Sequence, residues 1–424
     1  MANQFRQTKY DLVPDDWSKV TIEEVCDTIS DTYQFNNKHK IIFLNTSDIY
    51  NGEILKRMEM LVSELPGQAK KSIKRSDILF SEIRPKNKRF AYVDFDSSEY
   101  VVSTKLMVLR AKSKMHPKFL YHILTSDQII NQFQILAESR SGTFPQITYD
   151  SIKDTIIFIP CLDEQIRISN FLDSIDNKIE LNRKMNDTIE KIAQAIYKHW
   201  FKDFEFPDEQ GNPYKSFNGK MVKSEIGEIP SGWEQLKIKN LYKTTSGGTP
   251  SRSKIEYYEN GKIDWIKSKE LNNSLFIDSE EKINKLGLKN SSAKLVPKNT
   301  ILIAMYGATV GQIAITTKEA STNQAICAIL PNEKYSPYYV YNYLKRCKTD
   351  ILNRAIGSAQ QNISQIFIQN YPILKPDFNT IKHFHDVVQP LYEYIESNLF
   401  ENILLKNLSN SLLPKLMSGK VRVV

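Results

Sequence analysis

The sequence predicts an α+β protein in which one plan occurs twice, with two globular domains joined by two long antiparallel coiled-coil helices and an internal two-fold repeat. Three observations predict this fold class. Two stretches carry the apolar spacing of a coiled coil. Equivalent residues recur at a constant offset of 216 positions, which is the separation of Trp17 and Trp233. Apolar, β-rich runs precede each helical stretch, so we expect an array of two units rather than a solenoid.

The first helical stretch is residues 160–201. Its apolar residues follow alternating steps of four and three, which is the seam of a coiled coil. Because no Pro or Gly occurs from Leu162 to Phe201, we expect one continuous helix of about 38 residues and about 57 Å. Such a helix needs a partner to bury its seam. Its seam positions are Ile168, Leu172, Ile175, Ile179, Asn182, Asn186, Ile189, Ala193, Ile196 and Trp200.

The partner seam lies 216 positions later in the same chain. It carries Asn398 and Asn402 where the first seam carries Asn182 and Asn186. A buried Asn weakens packing but fixes register, since a misaligned side chain loses its hydrogen bond. An antiparallel pair would place Asn182 opposite Asn402 and Asn186 opposite Asn398, whereas a parallel pair would place Asn182 opposite Asn398. The alternative is that these residues face solvent where the seam drifts.

Composition and charge bound the class of protein. The 424 residues are 41% apolar, enough for two or three domains with real cores. No run of 18 apolar residues occurs and the first residues lack the apolar core of a signal peptide, so we expect a soluble, cytoplasmic protein. Cys26, Cys161, Cys327 and Cys347 form no CxxC pair, which predicts reduced core thiols. The net charge of +8 suggests a polyanionic partner.

Each globular domain is expected to combine a small, mostly antiparallel sheet with a helix and a polar loop. In the first half, strands are predicted at residues 40–44, 77–83, 90–95 and 101–109, and a helix from Pro117 to about Ala137. The second half repeats this plan, with a helix from Pro337 to about Ile356. The predicted boundaries are 1–159 for the first domain, 160–201 for the central helix, 202–232 for a connector, 233–375 for the second domain, and 376–424 for the C-terminal helix and tail.

Local catalytic motifs are missing from the sequence. It contains no GxxxxGK[ST], GxGxxG, GxSxG or HExxH. His383 and His385 would point to different faces of a helix, so a shared metal is not expected there. The missing motifs argue against catalysis. They do not exclude it, because acid–base pairs of Asp and Glu leave no local sequence signature. We expect no catalytic and no metal-binding residues.

Polar loops at equivalent positions and one basic run are the candidates for binding. Small residues allow close backbone approach, and Arg, Gln or Asn can bond base edges. The alternative is that the loops are ordinary turns and the run a solvated face. In the first half the loop candidates are Arg140, Ser141, Gly142, Thr143 and Gln146. The basic run comprises Lys70, Lys71, Lys74, Arg75, Arg84, Lys86, Lys88 and Arg89, against Asp77 and Glu82. In the second half the candidates are Gly247, Gly248, Thr249, Ser251, Arg252, Tyr306, Gly307, Ala308, Thr309, Ser358, Gln360 and Gln361.

Several of these motifs resemble one known family, the specificity subunits of type I restriction-modification systems. The resemblance rests on IPSGWE at 229–234, GGTPS at 247–251, YGAT at 306–309 with Gly311, and LLPKLMSG at 412–419. It also rests on Pro160, Glu164-Gln165, Phe171-Leu172 and Lys178 to Glu180 in the first helix. It covers almost the whole chain. The first domain departs from the pattern, with Ser81 to Arg84 in place of YGAT, so residues carry over less well there.

The resemblance implies a non-catalytic subunit that recognises a split, asymmetric target in double-stranded DNA. Each globular domain would be a target-recognition domain for one half-site, while the helix pair sets the spacer and docks two methyltransferase subunits. Restriction motor-nuclease subunits would complete the complex. S-adenosylmethionine, ATP and magnesium are expected in those partners and no cofactor in this chain. The alternatives are a standalone DNA-binding regulator, which would bind tightly alone, and a helical protein-interaction scaffold, which would bind DNA weakly and without salt sensitivity.

Overall fold

The computed structural model describes residues 5–7, 12–140, 144–272, 274–355 and 362–423. The chain divides into two compact units: the first unit is Met1–Lys178 with Leu404–Val424, and the second unit is Ile179–Ile403. Both units mix helices and sheets. Among the helices described, none is both long enough and apolar enough to span a bilayer.

The first unit begins with short strands and ends on a long helix. Its helices are α1 Ile22–Val25, α2 Pro117–Leu124, α3 Asp127–Arg140, α4 Tyr149–Ile152 and the beginning of α5 Leu162–Phe201. Its strands are β1 Phe5–Gln7, β2 Leu12–Pro14, β3 Ser18–Thr21, β4 Cys26–Ile29, β5 Lys40–Leu44, β6 Ile49–Tyr50, β7 Glu53–Ile54, β8 Glu59–Leu61, β9 Ala69–Lys71, β10 Ile78–Ser81, β11 Phe90–Tyr92, β12 Tyr100–Ser103, β13 Leu106–Ala111 and β14 Ile156–Ile159.

The predicted single sheet of this unit is wrong, because the strands form two four-stranded sheets. Their orders are β11-β10-β13-β4 and β8-β5-β12-β9, and β12 runs parallel to β5. The predicted strand at 101–109 is split into β12 and β13, which belong to different sheets. The chain turns at Thr104 and Lys105, where the Lys105 N–H donates to Ser103 Oγ at 3.2 Å. Two polar residues thus interrupt a run that is otherwise apolar.

The predicted helix from Pro117 to Ala137 is also interrupted, and forms α2 and α3. Thr125 Oγ1 donates to the Tyr121 carbonyl and Ser126 Oγ to the Ile123 carbonyl, both at 2.7 Å. Hydroxyl groups that bond the carbonyls of the preceding turn compete with helix continuation. Two adjacent hydroxyl residues therefore end α2.

The second unit repeats the plan with its own strands and helices. Its helices are the remainder of α5, then α6 Ile238–Leu241, α7 Lys285–Lys289, α8 Pro337–Ala355, α9 Gln365–Asn370 and most of α10 Phe378–Met417. Its strands are β15 Met221–Ser224, β16 Gly227–Pro230, β17 Glu234–Lys237, β18 Thr244–Ser246, β19 Ile263–Ile266, β20 Leu275–Phe276, β21 Lys282–Ile283, β22 Leu295–Val296, β23 Ile301–Ala304, β24 Ile313–Thr316, β25 Ala320–Thr322, β26 Ile326–Ile329 and β27 Pro372–Lys375. The main sheets have the orders β18-β26-β23-β24-β20 and β21-β19-β25-β22.

The internal repeat appears as identical strand registers in the two units. β1 pairs with β2 through Phe5 and Pro14, and β15 pairs with β16 through Met221 and Pro230. β3 and β14 pair Thr21 with Ile156, while β17 and β27 pair Lys237 with Pro372. Every partner in the second unit lies 216 positions after its counterpart in the first. The repeat is therefore present in the structure as well as in the sequence.

The long helices α5 and α10 each contain 40 residues. Within the second unit, Asn182 Nδ2 donates to Asn402 Oδ1 at 3.0 Å and to Glu401 Oε2 at 2.7 Å. Asn398 Nδ2 donates to Asn186 Oδ1 at 2.8 Å. Asn182 and Asn398 are buried and do not face solvent. These pairs are the ones that an antiparallel arrangement requires.

Each unit packs its globular part against its own portion of the helix pair. In the first unit Ile168, Leu172 and Leu416 belong to the same core as the helices α2 and α3. In the second, Trp200, Phe201 and Phe384 join a core with the sheet of β23 and β26. The seam residues therefore pack against the globular part of their own unit as well as against the other long helix.

The C-terminal tail lies against the start of the first domain. Gly419 has a φ of +69°, and a Cβ there would lie 2.3 Å from Pro14 Cγ, so the contact requires glycine. Arg422 forms ion pairs with Asp16, at 2.8 Å, and with the buried Glu164. The end of α10 is thereby fixed to the first unit.

The cysteine expectation is wrong at one position. Cys26 and Cys327 are buried and Cys347 is half-buried, but Cys161 is exposed. Cys161 lies between the end of β14 and the beginning of α5, where the chain turns at the surface. It is therefore not a core thiol.

Candidate nucleic-acid interface

In the first unit, three segments meet at the backbone of Glu82, directly after β10. Its N–H donates to the Lys105 carbonyl at 3.0 Å, and its carbonyl accepts from the Ile147 N–H at 2.8 Å. The Glu82 backbone therefore joins the turn between β12 and β13 to the segment before α4.

The second unit contains the same crossing, centred on Met305 after β23. The Met305 N–H donates to the Ala325 carbonyl and its carbonyl accepts from the Ile363 N–H, both at 2.8 Å. Ile363 lies 216 positions after Ile147. Both units therefore build the same surface from the same three segments, with different side chains on it.

The first unit places the end of the basic run beside the polar loop. The Arg84 N–H donates to the Pro145 carbonyl at 3.1 Å, and Ile83 forms an isolated antiparallel bridge with Gln146. Arg84 is exposed in a left-handed conformation with a φ of +43°. The Arg140 backbone belongs to α3, but its side chain and residues Ser141, Gly142 and Thr143 lie outside the described residues.

The basic run divides into exposed cations and cations engaged in the fold. Lys71 Nζ donates to the Leu106 carbonyl at 2.8 Å, and its burial lowers its pKa. Lys88 pairs with Asp127 at 2.8 Å, and Arg89 donates to the Ser47 and Ile49 carbonyls. The exposed members are Lys70, Lys74, Arg75, Arg84 and Lys86. These five exposed cations are the members of the run that are most accessible to a polyanion.

Lys105 belongs to the same surface, although sequence reasoning did not select it. Its ammonium lies 3.8 Å from the Glu82 carboxylate, and its carbonyl accepts the Glu82 N–H. In the sequence, Lys105 could have been recognised as a cation in a two-residue polar turn between two apolar strands.

In the second unit, Gly247 and Gly248 are required by packing. A Cβ on Gly247 would lie 2.0 Å from the Thr322 carbonyl oxygen, and one on Gly248 would lie 2.1 Å from Ser292 Oγ. The Gly248 carbonyl accepts from Trp265 Nε1 at 2.9 Å. These glycines let the loop lie directly against β25 and Ser292, and both the N–H and the carbonyl of Gly248 are hydrogen-bonded.

The rest of this loop carries one engaged cation and two exposed hydroxyl groups. Arg252 pairs with Glu281, and its guanidinium lies 4.8 Å from the centroids of the Tyr258 and Trp265 rings. Hydrogen bonds from Arg252 and then Lys267 lower the pKa of Glu281 to about 2. Exposed Ser251 shares a hydrogen bond with Ser253 at 2.9 Å.

Neutral polar residues occupy the surface around Met305. Exposed Thr249 donates its hydroxyl to Gln324 Oε1, and Gln324 precedes Ala325, which bonds Met305. Tyr306 and Ala308 are exposed, Thr309 is half-buried, and Gly307 has a φ of +84° with open space beside it. Ser358, Gln360 and Gln361 lie outside the described residues. Gln324 was missed in the sequence, where it appears only as the end of a short polar stretch between two strands.

Metal-binding geometry was sought among the described side chains. In those ranges of the chain, no group of three or more His, Cys, Asp or Glu residues is placed to hold a metal ion.

Comparison with known proteins identifies the family. The model of the type I restriction modification DNA specificity domain matches residues 14–191 and 230–404. The two matches begin 216 positions apart, which is the offset of the repeat. The chain belongs to this family. Members recognise DNA and are not themselves catalytic, so the chain is a DNA specificity subunit, and neither the regulator nor the scaffold is favoured.

Individual relatives span the full length of the specificity subunit. It is 34% identical to the HindI specificity subunit of Haemophilus influenzae, over 96% of this chain and 100% of the relative. It is 26% identical to the MjaIX specificity subunit of Methanocaldococcus jannaschii, over 99% and 97% of the two chains. The solved type I S subunit of M. genitalium shares the fold, with a TM-score of 0.57, 18% identity and coverage of 98% and 99%. The predicted family, fold class and function are confirmed.

Proposed function

We propose that each unit of this specificity subunit recognises one half of a split, asymmetric target in double-stranded DNA, through the surface around Glu82 or Met305. The observation that carries the proposal is the shared crossing: two units present the same backbone arrangement with different side chains on it. Equivalent surfaces with unlike chemistry suit two unlike half-sites.

The two surfaces would use different proportions of phosphate and base contacts. In the first unit, exposed Arg84 and Lys86 would bind phosphates, and Gln146 would bond a base edge. In the second unit, Thr249, Gln324 and Tyr306 are neutral and polar, so hydrogen bonds to bases or sugars would dominate there. Phosphate contacts supply affinity that falls with salt, whereas base contacts supply selectivity.

The helix pair would set the distance between half-sites and bind two methyltransferase subunits. Three large apolar side chains of α10 in the second unit support this, since Tyr394, Phe400 and Ile403 are exposed. Restriction motor-nuclease subunits would join the same complex in the cytoplasm. S-adenosylmethionine, ATP and magnesium would act in those partners, while this chain contributes positioning and no chemical step.

A single-molecule methylation map of the source genome, with and without this gene, tests the proposal. We expect deletion to abolish adenine methylation at one motif of two short defined blocks around an undefined spacer. Complementation with Arg84→Ala should lower methylation at every copy of the motif without changing its sequence, because a phosphate contact is lost, whereas Tyr306→Ala should relax one block. Phe217→Ala, an exposed connector residue, is the control and should restore the original map. An unchanged map on deletion from cells that express the gene would refute the proposal.

A further inference from the structure

Phe144 has the most exposed large apolar side chain in the described part of the chain, with 70% of its surface accessible. It lies between the end of α3 and the segment that crosses Glu82. Single exposed apolar side chains are common on protein surfaces, so the exposure of Phe144 acquires meaning only from the place of its backbone.

The backbone beneath Phe144 is held in place. The next residue, Pro145, is buried, and its carbonyl accepts the Arg84 N–H at 3.1 Å. Gln146 bridges to Ile83, and the Ile147 N–H donates to the Glu82 carbonyl at 2.8 Å. The ring is therefore presented outward on the same crossing that we propose to contact DNA.

Two exposed cations lie on the segment that is hydrogen-bonded to the backbone beside Phe144. Arg84, bonded to the Pro145 carbonyl, is exposed, and exposed Lys86 follows two residues later. The Lys86 N–H donates to Gln134 Oε1 at 3.1 Å, which fixes this segment on α3. Two carboxylates lie on these segments: Glu82 is paired with Lys105, and Glu138 accepts a hydrogen bond from Gln134 Nε2 at 2.8 Å. An exposed apolar ring on the same crossing as two exposed cations matches a base step flanked by phosphates better than an apolar protein surface.

We propose that Phe144 inserts its ring into a base step of the half-site recognised by the first unit. The ring would partly unstack two neighbouring base pairs and kink the duplex, while Arg84 and Lys86 bind the flanking phosphates. Proteins that bend DNA commonly use such apolar wedges. The inference rests on the proposed DNA recognition and adds selectivity for a deformable step, which direct base contacts would not give.

Fluorescence of 2-aminopurine, which rises when the base is unstacked, tests the insertion. The probe replaces each adenine of both half-sites in turn, except the one that is methylated, and pyrrolo-deoxycytidine replaces each cytosine. The specificity subunit is used in its complex with methyltransferase subunits, without S-adenosylmethionine and at saturating concentration. We expect enhanced fluorescence at one step of one half-site, lost in Phe144→Ala and retained in Phe144→Leu.

The variants also separate this inference from the proposed function. Phe144→Ala should weaken binding to the split target about tenfold or more, because one base–aromatic stack is lost. Phe217→Ala removes another exposed ring, 62% accessible, and should behave as wild type. If the wild type binds the target specifically but no enhancement depends on Phe144, the insertion is refuted and recognition stands. If the wild type shows no specific binding, recognition itself is refuted.

Discussion

His122, in α2, is a buried histidine whose neutral form is favoured in the folded first unit. Its side chain is 8% exposed, and its Nε2 has no hydrogen-bond partner among the described residues. Burial, followed by the charges of Lys118 and His116, lowers its pKa to about 3. Burial also lowers the pKa of His116. In the unfolded chain a histidine has a pKa of about 6.5.

This difference predicts acid lability of the first unit. A base with a depressed folded pKa contributes stability above its unfolded pKa, and loses it as pH falls below about 6.5. The loss should be about 2 kcal/mol between pH 7 and pH 5 for this group alone. Urea unfolding at pH 7 and at pH 5 measures this loss of stability. His122→Leu should flatten the pH dependence relative to wild type, while substitution of exposed His39 with Gln should leave it unchanged. An equal slope in His122→Leu would contradict the assignment.

Gly247 tests whether the loop after β18 is fixed by packing. Because an added Cβ would lie 2.0 Å from the Thr322 carbonyl oxygen, Gly247→Ala must displace the backbone. We expect a loss of about 1 to 3 kcal/mol in the stability of the second unit, measured by thermal unfolding. Gly67→Ala is the matched control, since nothing lies within 4 Å of its Cβ position. Equal stability of the two variants would show that the loop relaxes freely.

At the scale of single residues, the sequence indicated which segments meet better than what each side chain does there. The basic run and the polar loop from Arg140 to Gln146 were both selected, and the Arg84 N–H does donate to the Pro145 carbonyl. Lys71 and Arg89 look like Lys70 and Arg75 in the sequence, yet they bond backbone carbonyls. Such differences depend on long-range packing. Lys105 and Gln324 were missed because a short polar stretch between two strands has no distinguishing pattern.

At the scale of elements, periodicity succeeded where it extended over many residues. The first seam runs from Ile168 to Trp200 and recurs 216 positions later, within two helices of 40 residues each, so chance spacing was improbable. Short elements were harder. The break between β12 and β13 depends on two residues, and that between α2 and α3 on Thr125 and Ser126. Apolar runs predict burial, but they do not show where the chain changes sheets.

The Asn pairs of the helix pair should control register. We expect the combined change of Asn182, Asn186, Asn398 and Asn402 to Leu to keep the helices but allow slippage, because Leu packs in several registers. Disulfide formation measures this in a Cys161→Ser background. Cysteines at Ile189 and Ile395 report the antiparallel register that follows from the bonds of Asn182 and Asn398. Cysteines at Ile189 and Val388 report a slip of seven residues.

With the native Asn residues, only the pair at 189 and 395 should cross-link. In the Leu variant both pairs should cross-link, and circular dichroism should show unchanged helicity. Removing the Asn182 carboxamide also removes a carbonyl oxygen that is buried without a partner in the described residues, so helix stability need not fall. If the Leu variant still cross-linked only at 189 and 395, contacts other than the Asn pairs would determine the register.

At the scale of the whole molecule, the two units differ in how their charges are balanced. The first unit leaves Lys70, Lys74, Arg75, Arg84 and Lys86 exposed on the basic run. In the second unit, Lys282 and Lys318 pair with Asp264 and Asp278, and Lys267 with Glu281, and the side chains named on the surface around Met305 are neutral. The electrostatic part of DNA binding should therefore come mainly from the first unit.

This asymmetry predicts the salt dependence of binding. Each phosphate contact contributes about 0.9 to the slope of log affinity against log salt. The double change Arg84→Gln with Lys86→Gln should reduce the slope by about 2 and weaken binding to all sequences equally.

The matched control is Lys40→Gln with Lys88→Gln, which removes the same charge from the same unit at residues already paired with Glu59 and Asp127. Its slope should stay near that of the wild type, because paired cations release fewer counterions. Equal slopes in both variants would show that net charge alone governs binding. Relaxed selectivity at one target position would instead place Arg84 on a base, at a cost of about 1 to 3 kcal/mol.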